Sequence, residues 1–199
     1  MAVTREQYEQ GMTYDEYKAQ MTKNQGRFAA QEQGVTLDPA DVATFRNLSQ
    51  PLNVLVLAED WCGDVIDNLP ILGRLARESG TINIRIFLRD QHPELMEQYL
   101  NHGQFRSIPV FAFFDDQFHE IGHFIERPES VTERRAQRRS AIYAEHPEFG
   151  SPEAPVDQLP EAVRVQLSQA LASMREELKP IEAQEVVRAL CDIVGRVHA

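Results

Sequence analysis

The residues best suited to chemistry lie in one stretch, Ala58-Glu59-Asp60-Trp61-Cys62-Gly63-Asp64-Val65. It sets a thiol where an apolar run over 53–58 gives way to a helical pattern. The unpaired backbone N–H groups and partial positive charge of a helix N-terminus favour a thiolate, and the thiolate is the form that attacks a disulfide. The other reading of a single cysteine is a small buried hydrophobe. Strand-end position, Trp61 before and Gly63 after favour a functional thiol at Cys62. Glu59, Asp60 and Asp64 surround it with negative charge, which disfavours the thiolate. The helix terminus contributes only about 0.3 to 1 kcal/mol, under one pK unit. The two effects oppose each other, and the expectation is a thiol titrating near the ordinary value of about 8.5. Asp64 is either a first-turn acid placed by the same electrostatics or a proton acceptor that orients the Cys62 thiol.

Few other residues compete. Cys191 shares the apolar face of the last helical segment with Val187 and Val194, which argues for an inert, buried thiol. One cysteine with carboxylates and no histidine near it in sequence is a thin ligand set, so no metal is expected. Arg127, Arg134, Arg135, Arg138 and Arg139 form the single basic concentration; they read as a solvated helical face paired with acidic neighbours, or as a dock for an acidic partner. His119 and His123 alternate along a strand and are expected on one side of the sheet, without ligand spacing.

The elements that must position Cys62 are legible around it. The first fifty residues are polar and helix-prone, with Tyr8, Met12, Tyr14, Tyr17 and Met21 as a loose apolar stripe. Asp38-Pro39 caps a further helix bearing Val42, Phe45 and Leu48. The continuous apolar run 53–58 predicts a central strand buried on both faces. Val65, Leu69, Leu72 and Ala76 recur at helical intervals, with Pro70 as a kink and Gly80 as the stop. A strand over 82–88 follows, then a helix opened by Pro93 that carries Leu95, Met96, Tyr99 and Leu100 and closes near Gly103. Strands over 110–114 and 119–125 close the pattern as a hairpin. Beyond Pro128 come a helix over 131–144, a proline-bearing loop, and two helices separated by Pro180, the second carrying Val187, Leu190, Cys191, Val194 and Val197. The fold class is α/β, a mixed sheet flanked by helices, in three segments: a helical N-terminal extension 1–50, a core 51–127 and a C-terminal helical segment 128–199.

Composition bounds the function from outside. Lys plus Arg number 20 against 31 Asp plus Glu, a net charge of −11, so a nucleic-acid backbone is not an expected partner. The longest apolar runs, 54–58 and 108–114, are strand-sized and far short of the roughly 18 residues of a membrane span. No membrane partner is expected. The N-terminal residues lack a secretory pattern and two cysteines make no disulfide scaffold, so the expected location is cytoplasmic.

Trp61-Cys62-Gly63, Pro70, Arg106-Ser107-Ile108-Pro109 and Gly122 together resemble the thioredoxin family, over roughly Leu52 to Arg127. Trp61-Cys62-Gly63 is similar to the start of its active site, Pro70 to its helix-kinking proline, and Ile108-Pro109 to its cis-proline. The Glu-Asp-Trp-Cys-Gly-Asp form with long N-terminal helices resembles a bacterial branch with a single active-site cysteine. The resemblance implies a thioredoxin-like fold, with Cys62 and Asp64 as catalytic residues and Trp61, Gly63, Ile108 and Pro109 against the substrate, whose extended chain would pair with the backbone beside Pro109. Two departures matter. Where the family has its resolving cysteine this chain has Val65, and where it has a buried acid this chain has Val56. Cys62 can then form a mixed disulfide, a sulfenic acid or a glutathione-type adduct, but an external thiol must release it. The expected activity is monothiol exchange with a protein or low-molecular-weight thiol or disulfide, without cofactor. The alternatives are a non-catalytic binding module and a monothiol-glutaredoxin-like iron–sulfur carrier, the latter disfavoured by the acidic surround of Cys62.

Overall fold

A computed structural model describes residues 3–195, and Val197 lies outside the described residues. Strand β1 (Leu52–Ala58) is buried along its whole length, as a continuous apolar run requires. It pairs in parallel with β2 (Ile82–Leu88) on one side and antiparallel with β3 (Val110–Phe114) on the other; β4 (Glu120–Ile125) completes the sheet in the order β2-β1-β3-β4. His119 precedes β4 and binds Asp115 in the turn, while His123 on the strand binds Glu120; the two do not share a strand. The bulge at Phe113/Phe114 absorbs the change of register.

The crossover between β1 and β2 is α5 (Gly63–Ser79), which starts directly after Cys62 and ends on Gly80 at φ 74°, whose N–H reaches the Ala76 carbonyl. Pro70 lies within this helix. Four helices precede the sheet: α1 (Arg5–Glu9), α2 (Tyr14–Gln20), α3 (Gln25–Gly34) and α4 (Pro39–Arg46). Asp38 caps α4 through the Ala40 amide, and Thr13 with Glu16 forms a reciprocal capping box at α2. Tyr8, Tyr17, Phe28, Val42 and Phe45 are buried in the same core as β1 and β3, so the stripe seen in the first fifty residues is a packing face. Each fully buried large apolar side chain is worth about 1.5 to 3 kcal/mol. The helix opened by Pro93 is shorter than its apolar pattern: α6 covers Pro93–Met96, after which Asn101 bridges to Phe105 around Gly103.

Two compact units result among the described residues, 3–127 with 183–195, and 128–182. The second has its own core of Ile142, Tyr143, Phe149, Leu167, Met174 and Leu178, contributed by α7 (Glu129–Glu145) and the first part of α8 (Glu161–Gly195). Two helices were expected around Pro180, and one is found, with the proline inside it. Proline removes a single N–H and crowds one carbonyl. Apolar faces before it, at Met174 and Leu178, and after it, at Val187 and Leu190, hold both halves helical. The basic face of α7 is consumed within its own unit: Arg135 meets Glu182 at 2.6 Å with both side chains nearly buried, Arg138 meets Glu177 at 3.1 Å, and Arg139 donates to the Pro152 carbonyl and sits over the Tyr143 ring. Arg127 is not part of that face. No described helix is long and apolar enough to cross a membrane.

Candidate active site

Cys62 is the N-cap of α5, half-buried, with Trp61 exposed beside it. The chain turns sharply here, the Cys62 amide donating to the Glu59 carbonyl at 3.2 Å and the Ile66 amide to the Cys62 carbonyl at 3.1 Å. Directly before the neighbouring strand β3, the Ile108-Pro109 bond, which is cis, brings the Ile108 carbonyl to the sulfur, and the thiol donates to it at 3.4 Å. Sequence-distant Trp61, Cys62, Gly63, Ile108 and Pro109 are therefore gathered at one place. Arg89 lies over the Trp61 ring at 4.9 Å and donates to the Arg106 carbonyl, tying the end of β2 to the segment that leads to Pro109.

The acidic surround differs from its sequence expectation. Glu59 accepts from the Asp90 amide at 2.9 Å, and Asp60 turns to the N-terminal helices: one oxygen accepts from the amides of Thr22 at 2.6 Å and Lys23 at 2.9 Å and from the Thr22 hydroxyl, while Asn24 donates to the Asp60 carbonyl. Burial pushes the Asp60 carboxyl up, and these donors outweigh it, holding it below the ordinary range. Asp60 is thus a clasp between the strand end and the α2–α3 loop. Asp64 does remain beside the sulfur. It is buried and accepts from Arg127 Nη1 at 2.6 Å. Arg127 also meets Glu126 at 2.7 Å. Glu126, which the sequence pattern did not single out, is held at φ 61° by its amide's bond to the Pro109 carbonyl, by Asn68 donating to its own carbonyl and by Asn101 donating to its carboxylate. Two charges following the last core strand, directly before Pro128, were the available signal; their function depends on a left-handed residue that spacing does not announce.

Together these groups set the thiol. Burial is the largest influence and pushes Cys62 above its ordinary pKa; the Val65 and Asp64 amides of the open helix turn pull it down, while the Asp64 and Glu126 carboxylates push it up. The expectation of a thiol near 8.5 omitted burial, which composition around a cysteine does not reveal. Removing the Asp64 charge should lower the Cys62 pKa, because a neighbouring anion disfavours the thiolate. Arg127 already cancels much of that charge, so Asp64→Asn is expected to shift the alkylation midpoint down by less than about one unit. An unchanged or raised midpoint would show that Asp64 does not act through charge.

Val65 and Val56, at the places of the family's resolving cysteine and buried acid, are fully buried. Tyr17 of α2 is fully buried as well, its hydroxyl pushed up by burial first and then by Asp60, Glu59 and Cys62, so the N-terminal helices reach the neighbourhood of the sulfur. Cys191 is a free thiol like Cys62; it packs toward Asp41 of α4, and burial together with that carboxylate pushes it up to about 11. It is far less available as a nucleophile at neutral pH.

A family model described as thioredoxin matches residues 11–139, taking in α2 to α4 as well as the sheet. Among solved structures, a protein of unknown function from Pseudomonas aeruginosa is similar at 22% identity with a TM-score of 0.62, covering 89% of this chain and 99% of its own. An HIV epitope-scaffold is similar at 18% identity with a TM-score of 0.65, covering 98% of each chain. These likenesses concern the fold. No curated protein matches the chain.

Proposed function

Because the chain belongs to the thioredoxin family, we propose that it performs monothiol thiol–disulfide exchange through Cys62 on protein or low-molecular-weight disulfides. The observation that carries this reading is the half-buried Cys62 sulfur at the open first turn of α5, 3.4 Å from the carbonyl that precedes cis Pro109. The Cys62 thiol loses its proton to solvent or to a nearby carboxylate, and the thiolate attacks one sulfur of a disulfide. A bond forms between Cys62 and that sulfur, the old S–S bond breaks, and the second sulfur leaves as a thiolate that takes up a proton. With Val65 in the resolving place, an external thiol makes the second attack, restoring Cys62 and releasing the bound half as a thiol. The Trp61 face and the backbone at Ile108 and Pro109 would hold the substrate beside the sulfur.

The second reading is a binding module that uses the same surface without turnover, and the raised Cys62 pKa favours it. Only thiolate reacts, so a raised pKa moves the reactivity curve to alkaline pH. The alkylation midpoint of Cys62 with iodoacetamide should therefore lie above the roughly 8.5 of a free cysteine. Glutathione disulfide at that pH should add one glutathione per chain, abolished in Cys62→Ser and retained in Cys191→Ser, as mass spectrometry would record. A thiol that alkylates and yet forms no mixed disulfide would leave the binding module as the function.

A further inference from the structure

A cavity of about 650 Å³ opens where α1, α2 and α5 meet the outer edge of β2, and its lining includes no residue of the Cys62 site. Small-molecule sites occur at this size. Its charge runs against that of the chain. Arg5, Lys18, Arg77 and Arg85 line it against Glu9, Asp15 and Glu32, in a protein whose net charge is −11. Lys18 and Glu32 satisfy each other at 2.7 Å. Arg85 donates to the Gly11 carbonyl at 3.3 Å, with Glu16 near enough to feel its charge, and Arg5 donates to the Asp116 carbonyl. Arg77 is exposed on the wall formed by α5, close enough to Tyr14 for its charge to act on that hydroxyl.

The open edge of β2 adds main-chain groups to the cavity. Ile86 exchanges both backbone hydrogen bonds with Met12, at 2.7 and 2.9 Å, so its N–H and C=O point off the sheet edge. By the two-residue alternation of a strand, Ile84, which lines the cavity, presents its N–H and C=O the same way. The Tyr14 hydroxyl is buried at this wall, where the Glu32 carboxylate already acts on it. A site offering guanidinium groups beside a main-chain N–H calls for an anionic, acceptor-rich ligand. Tyr8, Ile82 and Ala76 supply apolar surface between these donors.

We propose that this cavity binds a small organic anion, a phosphate ester or carboxylate whose charged head meets the guanidinium groups and whose apolar body lies against Tyr8 and the β2 edge. Calorimetric titration of the full chain with phenyl phosphate tests it, with phenol and inorganic phosphate as the separated halves. The expected result is saturable binding of phenyl phosphate, weakened about tenfold or more in Arg77→Gln and in Arg85→Gln as a charge-assisted hydrogen bond is lost, with unchanged circular dichroism. The pH profile of Cys62 alkylation should not move on saturation, which keeps this site distinct from the thiol. Absence of phenyl phosphate binding, or binding undiminished in both variants, would overturn the proposal. Inorganic phosphate binding as tightly would remove the organic body from it, and binding of an acidic tetrapeptide in place of phenyl phosphate would assign the β2 edge to a peptide and overturn it as well.

Discussion

Val65→Cys should convert a protein nearly silent in dithiothreitol-driven insulin reduction into an active one. The wild type lacks an internal resolver, so each mixed disulfide at Cys62 waits for an external thiol. Position 65 is three residues beyond Cys62, in the first turn of the same helix, where residues three apart share a face. A tethered thiol acts at millimolar or greater effective concentration, and the expected gain is on the order of tenfold or more. Two effects oppose it. Val65 is fully buried, so the new thiol will itself be pushed up in pKa, and trimming valine costs about 0.5 to 1.5 kcal/mol of packing. Neither removes the proximity. A variant that melts like the wild type yet gains no turnover would show that the site cannot bind a disulfide productively. Wild-type turnover abolished by Cys191→Ser would instead make Cys191 the resolver, against its burial beside Asp41.

Arg127→Met is expected to have the largest effect on stability. The Arg127 guanidinium meets Asp64 at 2.6 Å and Glu126 at 2.7 Å, with the Asp64 side chain only 11% exposed. Removing one partner of a buried pair leaves an uncompensated charge and costs about 3 kcal/mol at the low end of the measured range. For a chain of this size that is a fall of about 6 to 12 °C in melting temperature. The same change bares Asp64 and Glu126 toward the sulfur, so the Cys62 alkylation midpoint should rise. Arg127→Lys, which keeps the charge and loses the fork, should recover most of the thiol's behaviour and part of the stability. A variant with both properties unchanged would mean that the carboxylates are balanced by other groups.

The two experiments divide along a line visible in the sequence itself. The strand over 53–58, the helix after Cys62 with its glycine stop, the parallel crossover and the closing hairpin all follow from local pattern: a continuous apolar run, apolar residues at helical intervals, alternation at period two. So does the candidate thiol, because a cysteine between a buried strand and a helix start is a local fact, as is the valine three residues on. Local pattern failed where packing overrode it. Pro180 carries a helix-breaking signal, and the apolar faces on either side keep α8 continuous; the face after Pro93 has helical spacing, and the chain turns away after Met96.

What the sequence determined, then, is the order of the sheet's elements and the place of the candidate thiol, because both depend on neighbours within a few residues. Tertiary structure alone decided what surrounds that thiol. Three acids close to Cys62 in sequence carry three different duties in space: Glu59 holds the Asp90 amide, Asp60 clasps the α2–α3 loop, and only Asp64 presses on the sulfur. The second carboxylate acting on Cys62, Glu126, and the arginine beside it come from the far end of β4, more than sixty residues away in the chain. Electrostatic influence falls with distance and grows with burial, neither of which is written in residue order. The thiol's pKa is therefore a property of the fold.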